Sequence, residues 1–388
     1  MKQCVYILPL LMSSLYAGGQ WVEEDDYYDD VVYEAYEDDS IGYGNSYLAQ
    51  NNATPQKDAQ NTKRSSLFSH REPLEAKRVN FFVSYLFWKT LEDNLEYVIK
   101  GEEVPSSQVA PFVPADANGD FKFGTMGWSS GVRAGLGYTF NHDLWDVFGI
   151  YTYYSTDGTH ETKRPKKAGL NLETTFRDNS GIFAPNGKAH SHASLVYMEG
   201  DLLLGRRFLI SDDILLKLLM GMLGTNFDQH WRIRYSGTVN GVKSTNHIQN
   251  NWEYSAGGAR LGVNLDWYMG WGLSLIGQFS GALTLGYYDF FYKAFNKTTN
   301  PNPTGVAHFK ETRIVPTAQA MLGLEWGKFY NSWGFYFSAG YEVNSWFGLH
   351  LLPVTPYSPG GFDTERFPFH RDGNVSFHGL NLTAGFSF

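Results

Sequence analysis

Cysteine is almost missing from this chain. Its 388 residues hold one, Cys4, and that one precedes the only continuous apolar run, Val5 to Ala17. A chain cut after the run has no thiol, which excludes disulfides, thiol catalysis and cysteine metal centres. A lipidated cysteine would follow such a run, so the position of Cys4 argues against an acyl anchor. Long apolar segments are missing as well. No interior run reaches the ~18 residues of a spanning helix. Charge is sparse, at 18% of residues. What the chain has in quantity is aromatic side chains (25 Tyr, 28 Phe and 11 Trp) and 41 Gly. That balance suits a β-rich membrane protein better than a helical enzyme.

Lys2 followed by Val5 to Ala17 reads as a secretory signal over residues 1–17, although Leu15 is a poor fit to the small-residue rule at the cleavage site. Residues 18–76 hold thirteen acidic residues against Lys57, Lys63, Arg64 and Arg71, a net of −9, equal to the net charge of the whole chain. Such a segment repels itself and has little to bury, so it is expected to be a disordered, Tyr-rich periplasmic leader. A second reading, a plug that enters a barrel, stays open.

From residue 77 the pattern has period two. Val132, Ala134, Leu136, Tyr138 and Phe140 alternate with Arg133, Gly135, Gly137 and Thr139. The same alternation recurs around Leu202, Met220, Leu261, Leu283, Leu322 and Phe337, and it closes on Leu380, Leu382, Ala384, Phe386 and Phe388. Turn chemistry at Asn141-His142-Asp143, Ser211-Asp212-Asp213 and Met269-Gly270-Trp271-Gly272 separates some of these runs. The remaining connections are long and polar. About ten strands (range 8–12) are expected, joined alternately by short and long links. That is the sequence signature of a transmembrane antiparallel β-barrel with short periplasmic turns and long extracellular loops, occupying residues 77–388. Trp145 to Tyr154 is equally apolar on both faces and cannot be oriented. Aromatics cluster at two levels. One lies beside the short turns (Phe140, Trp267, Trp271, Trp326, Trp333), and one lies at the far ends (Phe87, Trp88, Tyr153, Tyr154, Trp231, Trp252, Tyr287, Tyr288, Trp346, Phe347). Two membrane interfaces would produce such bands.

The polar face of each strand gives the candidate lumen: Arg133, Glu199, Asp201, Lys217, Arg260, Asp266, Gln278, Arg313, Gln319, Glu325, Glu342 and Asn344. An Arg on the lipid side at the midplane would cost ~2–4 kcal/mol, which is the reason to turn Arg133 and Arg260 inward. Glycines on the same face, among them Gly135, Gly137, Gly221, Gly262, Gly340 and Gly385, are expected to leave the inner wall thin. His190, His192 and His160 could sit at an outer rim, but spacing fixes no third ligand, and a solvated loop end explains them as well. No spacing motif selects a catalytic set, so no enzyme and no cofactor is expected.

Several segments carry a resemblance: Tyr85-Leu-Phe-Trp-Lys89 with Asp93-Asn-Leu-Glu-Tyr97, Gly131-Val-Arg-Ala-Gly-Leu-Gly-Tyr138 with Asp143-Leu-Trp-Asp146, Leu204-Gly-Arg206, Asp228-Gln229 before Trp231, and Leu380-Asn-Leu-Thr-Ala-Gly-Phe386. In this order they are similar to the Legionella-type pore-forming major outer-membrane protein family, also found in chlamydia-related bacteria. The last strand, with Phe386 and Phe388, also resembles the assembly signal of outer-membrane barrels. The resemblance implies an outer-membrane pore former, with outer-membrane lipid, the barrel-assembly machinery and small polar solutes or ions as partners, and no nucleic acid. Ten strands enclose little more than eight, whose side chains can fill the interior. Three functions therefore remain open: a narrow pore, a closed barrel acting through its surface, and a barrel enzyme.

Overall fold

The computed structural model describes residues 68–69, 78–102, 119–140, 144–166, 170–176, 187–239, 242–296, 300–330, 332–354 and 369–388. The signal segment, nearly all of the leader and the Asn141-His142-Asp143 turn lie outside the described residues. The strands are β1 (Phe68–Ser69), β2 (Arg78–Glu92), β3 (Glu96–Glu102), β4 (Gly119–Phe123), β5 (Trp128–Thr139), β6 (Trp145–Lys163) and β7 (Leu170–Thr174). They continue with β8 (Lys188–Leu209), β9 (Ile214–Val239), β10 (Val242–Gly270), β11 (Leu273–Asn296), β12 (Asn300–Tyr330), β13 (Gly334–Val354) and β14 (Phe369–Ser387).

Ten of these form an antiparallel ring in the order β12-β11-β10-β9-β8-β6-β5-β2-β14-β13, closed by the β12–β13 pairing. The seam between β2 and β14 is completed at the last residue, where Val79 N donates to Phe388 O (2.8 Å) and Phe388 N to Val79 O (3.0 Å). Within the ring the outward residues are apolar and exposed: Leu202 is 60% accessible, Leu261 67% and Leu322 62%. An exposed apolar band around a ring without edges is stable only in lipid. Short turns and both ends of the ring's chain share one rim, termed the near end below.

The far side differs from the expected long loops. Eight strands, β6 and β8 to β14, run on past the apolar band, and β12 alone has 31 residues where a membrane needs about 9–11. The cause is an inversion of the alternation. On β9 the outward residues Leu218, Met220 and Met222 give way to Asp228, His230, Arg232 and Arg234, while the inward ones become Phe227, Trp231, Ile233 and Tyr235. A strand that is apolar inside and polar outside is what water selects. Of the polar connections the sequence suggests at 225–251 and 155–188, residues 225–239, 242–251 and 155–163 are thus continued strand. Beyond Glu92 the chain does not prolong β2. The chain turns at Asn94 (φ 65°) and forms β3, the centre of a separate sheet in the order β4-β3-β7. Tyr97, Val98 and Leu172 of that sheet are wholly buried.

Pro316 sits opposite Leu283 in a part of the β11–β12 ladder that has no register shift. The β12–β13 ladder begins one residue later, at Thr317 and Trp346. Proline, having no N–H, marks where that pairing stops, and no bulge is needed. Phe68 and Ser69, which the sequence assigns to the leader, pair with Tyr330 and Phe329 at the near end of β12.

Candidate functional site

β6, which the sequence leaves unoriented, turns Tyr151 and Tyr153 to lipid and Asp146, Phe148, Ile150, Thr152 and Tyr154 inward. With every wall placed, the lumen divides into three layers.

The near layer is a cavity of about 330 Å³ reaching from Ser274, Glu325 and Ser387 to mid-depth. Arg133, Glu199, Asp201, Lys217, Arg260, Asp266, Gln278, Gln319 and Glu325 all line it, on the faces the alternation assigns. Sequence reasoning missed Asp146 and Arg207. Asp146 is fully buried and joins Arg207 Nε (3.1 Å) to Lys217 Nζ (2.8 Å). Asp146 and Thr152 share a parity, the signal that could have fixed their face. Gly262 lines the cavity, but Gly135, Gly137 and Gly385 do not thin the wall. A Cβ on Gly135 would lie 2.2 Å from the Phe82 ring, and one on Gly385 2.1 Å from the Tyr336 ring. These two glycines, and Gly137 against the Phe148 ring, leave room for an aromatic ring to lie flat against the sheet, whereas Gly221, Gly262 and Gly340 face no ring.

The middle layer is ionic. The Arg133 guanidinium donates to both oxygens of Glu342 (3.0 and 2.8 Å) and through Nε to Thr152 Oγ1 (3.0 Å). Glu342 also accepts from Gln319 Nε2 and Asn381 Nδ2, each at 2.6 Å. Arg260 donates to both oxygens of Glu199 (3.0 and 2.9 Å) and meets Asp201 at 2.9 Å. These groups are buried, where paired charges retain most of their attraction and unpaired ones are costly. Asn344, deeper in the barrel, is buried and donates to the Tyr197 hydroxyl (3.3 Å).

The outer layer is aromatic. Phe377 of β14 packs against Tyr197 (4.9 Å between ring centroids), Tyr154 (5.4 Å), Trp88 (5.7 Å) and Phe227 (6.2 Å). Trp346 closes on Phe227 at 4.8 Å. All six rings have no accessible surface. Each comes from a different strand, so the rings meet across the lumen. The far aromatic band expected at the membrane interface therefore splits by parity. Phe87, Tyr153, Tyr287 and Phe347 face outward and exposed, whereas Trp88, Tyr154, Trp231, Trp252, Tyr288 and Trp346 are core.

Above these rings, Arg313 is not in the membrane-level lumen where it was expected. It pairs with Glu311 (3.3 Å) and Asp372 (3.4 Å), beside the Tyr288 ring. Its inward parity was read correctly, but at the top of the apolar band it meets the Tyr288 ring and β14 rather than the cavity. Glu92 and His350 form a pair at 2.9 Å with neither side chain accessible. The three candidate histidines do not converge. His160 faces inward and bonds the Tyr97 hydroxyl (2.6 Å), while His190 and His192 lie on the outer face. Among the described residues no three His, Cys, Asp or Glu side chains are grouped to hold a metal. At the near interface Phe386 and Phe388 are exposed, with Phe386 stacked on Trp333 at 5.9 Å.

Similar solved structures are all distant. The outer membrane protease OmpT of Escherichia coli has a TM-score of 0.39 at 9% identity, covering 80% of this chain and 96% of its own. A Pseudomonas aeruginosa FadL homologue has a TM-score of 0.24 at 8% identity, over 80% and 90% of the two chains. The Pseudomonas putida toluene transporter TodX has 0.19 at 7%, over 81% and 90%. The architecture rests on the hydrogen-bonded ring rather than on these. No curated protein sequence matches the chain. The family described as Legionella pneumophila major outer membrane protein precursor matches residues 71–388. With most of the chain matched and a lipid-facing ring of ten strands, this is an outer-membrane β-barrel protein and a member of that family.

Proposed function

We propose that the barrel is closed at rest and serves the outer membrane as an anchored wall element that carries a folded sheet above the bilayer. The observation behind this reading is the aromatic layer, in which Trp88, Tyr154, Tyr197, Phe227, Trp346 and Phe377 leave no accessible surface. Rings packed from six strands at van der Waals contact have the density of a protein core, and such a core admits no solute. The ionic layer beneath is a second barrier. No reaction is assigned to the barrel. The buried Glu92–His350 pair has no accessible atom with which to meet a substrate.

A second reading is passage of small polar solutes or ions. It is supported by the polar cavity that ends on the ionic layer and by membership of a family that the sequence resemblance describes as pore-forming. Passage then requires the two layers to part. Conductance of the purified protein in a planar bilayer separates the readings. The closed barrel gives no steady current, and Trp346→Ala with Phe377→Ala opens a leak. A steady, well-defined conductance from the unaltered protein would overturn the closed reading.

A further inference from the structure

On the outer face of the protruding strands, hydrogen-bond register assembles a group of cations that the closed lumen does not use. His192 stands opposite Arg232, Arg232 opposite Gln249, and Gln249 opposite Lys293, so one row crosses β8 to β11. The row above contains Glu161, His190 and Arg234, with Glu161 paired to Lys163, and Lys188 caps it on β8. Neighbouring strands are ~4.8 Å apart, so the row spans roughly 14 Å. Arg232, Arg234 and Lys188 are exposed. Among the described residues Arg232, Arg234 and Lys293 have no carboxylate partner. They stand on a paired sheet, so little backbone ordering remains for a ligand to impose.

The face points sideways from the barrel wall, so whatever surrounds the barrel at that height lies against it. The height can be estimated. Tyr153, Met198, Asn226, Ser255 and Tyr287 share the row at which the apolar band ends. Arg232 lies six residues above Asn226 on the same strand, which at ~3.3 Å per residue and a tilt of ~40° is about 15 Å above the hydrocarbon. A head-group layer is only about 5–7 Å thick. A phospholipid phosphate would thus sit level with the row of Asp228, Glu253, Asp289 and Lys310, two residues above the band, where three carboxylates face one lysine that is already paired to Asp289. Anionic groups carried higher, on a saccharide, would meet the cations.

We propose that this face binds the phosphorylated saccharide of an outer-leaflet glycolipid. Its phosphates would lie against Arg232, Arg234 and Lys293, with Lys188, His190 and His192 at the edge. Arginine forks suit phosphate oxygens bidentately, and the binding would weaken with salt. The face gives the exposed sheet of the proposed surface role a partner. It depends on that sheet standing above the bilayer and not on whether the lumen conducts.

The test uses the full mature chain in detergent and fluorescently labelled lipopolysaccharide with its phosphorylated inner core, read by anisotropy. Arg232→Gln with Arg234→Gln and Lys293→Gln should bind at least about tenfold more weakly, with folding verified by heat-dependent gel mobility. Removing phosphate from the lipopolysaccharide should weaken binding to the unaltered protein by a similar factor. Phosphatidylglycerol vesicles should compete poorly. Equal binding by the triple variant, or indifference to dephosphorylation, would overturn the proposal. So would equal competition by phosphatidylglycerol, or binding of soluble heparin in place of lipopolysaccharide. If the triple variant does not fold, Arg232→Gln alone should still weaken binding severalfold, and no change would count against the site. A conducting lumen in the bilayer experiment would leave these outcomes unchanged.

Discussion

Arg133 and Glu342 face one another across the ionic layer, and Gln319 and Asn381 also donate to the same carboxylate. Arg133→Ala leaves Glu342 buried without its cation, a change that typically costs about 3–5 kcal/mol. The two remaining donors put the expected loss near the lower end. Arg133→Met with Glu342→Leu removes both charges together and should come back to within about 1 kcal/mol of the parent. Denaturant unfolding in lipid vesicles, followed by tryptophan fluorescence, compares the two. A double variant as unstable as Arg133→Ala would mean that the pair is not the energetic unit. Arg133→Ala with Arg260→Ala should lower stability further or open a leak, since Glu199 and Asp201 then lose their cation too. If neither stability nor conductance changes, these arginines do not sit in the lumen.

The β4-β3-β7 sheet depends on buried tyrosines at its junction with the protruding strands. The Tyr235 hydroxyl donates to the Tyr97 carbonyl, and the Tyr97 hydroxyl meets Thr162 Oγ1 at 2.7 Å. Burial raises the pKa of both tyrosines above the ordinary 10.0, because water no longer stabilises the phenolate. A folded pKa above the unfolded one means that stability is intact below about pH 10 and is lost as pH rises beyond it, where only the unfolded chain releases the proton. Unfolding midpoints should therefore fall between about pH 9 and about pH 11. Tyr97→Phe with Tyr235→Phe should flatten that fall. An unchanged slope would place these hydroxyls in water. At the seam, deleting Phe388 removes two backbone hydrogen bonds to Val79 and should slow barrel formation, read as the rate at which the heat-sensitive gel form appears.

Across the whole chain, the lipid-facing band and the closed ring predict fractionation with outer membranes and a mobility shift on heating in detergent. Recovery in the soluble periplasm would contradict the ring. The acidic segment 18–76 has a net charge of −9 and little apolar surface, so deleting it after the signal should leave barrel folding intact. Failure to fold would show that Phe68 and Ser69, which pair with the end of β12, contribute more than two residues of strand. Raised conductance after the deletion would favour the plug reading of that segment.

Facing was legible in the sequence because a period of two and the cost of a charge in lipid leave one choice per strand. That is why Arg133, Glu199, Asp201, Arg260 and Glu342 were found, and why ten strands and the outer membrane followed. In Trp145 to Tyr154 the two faces are nearly equally apolar, so only Asp146 and Thr152 tell them apart, and Asp146 was missed there. Which residues meet across the barrel was not legible, because register and closure are set by all ten strands together. The parity of Trp88 and Trp346 could be read, but their convergence with Phe377 on one level could not. The same holds for Gly135 and Gly385, whose empty side chains looked like open lumen until the rings of Phe82 and Tyr336 were seen to fill the space. The one-dimensional pattern determined a barrel and its inner face, and the three-dimensional packing decided that this inner face is filled.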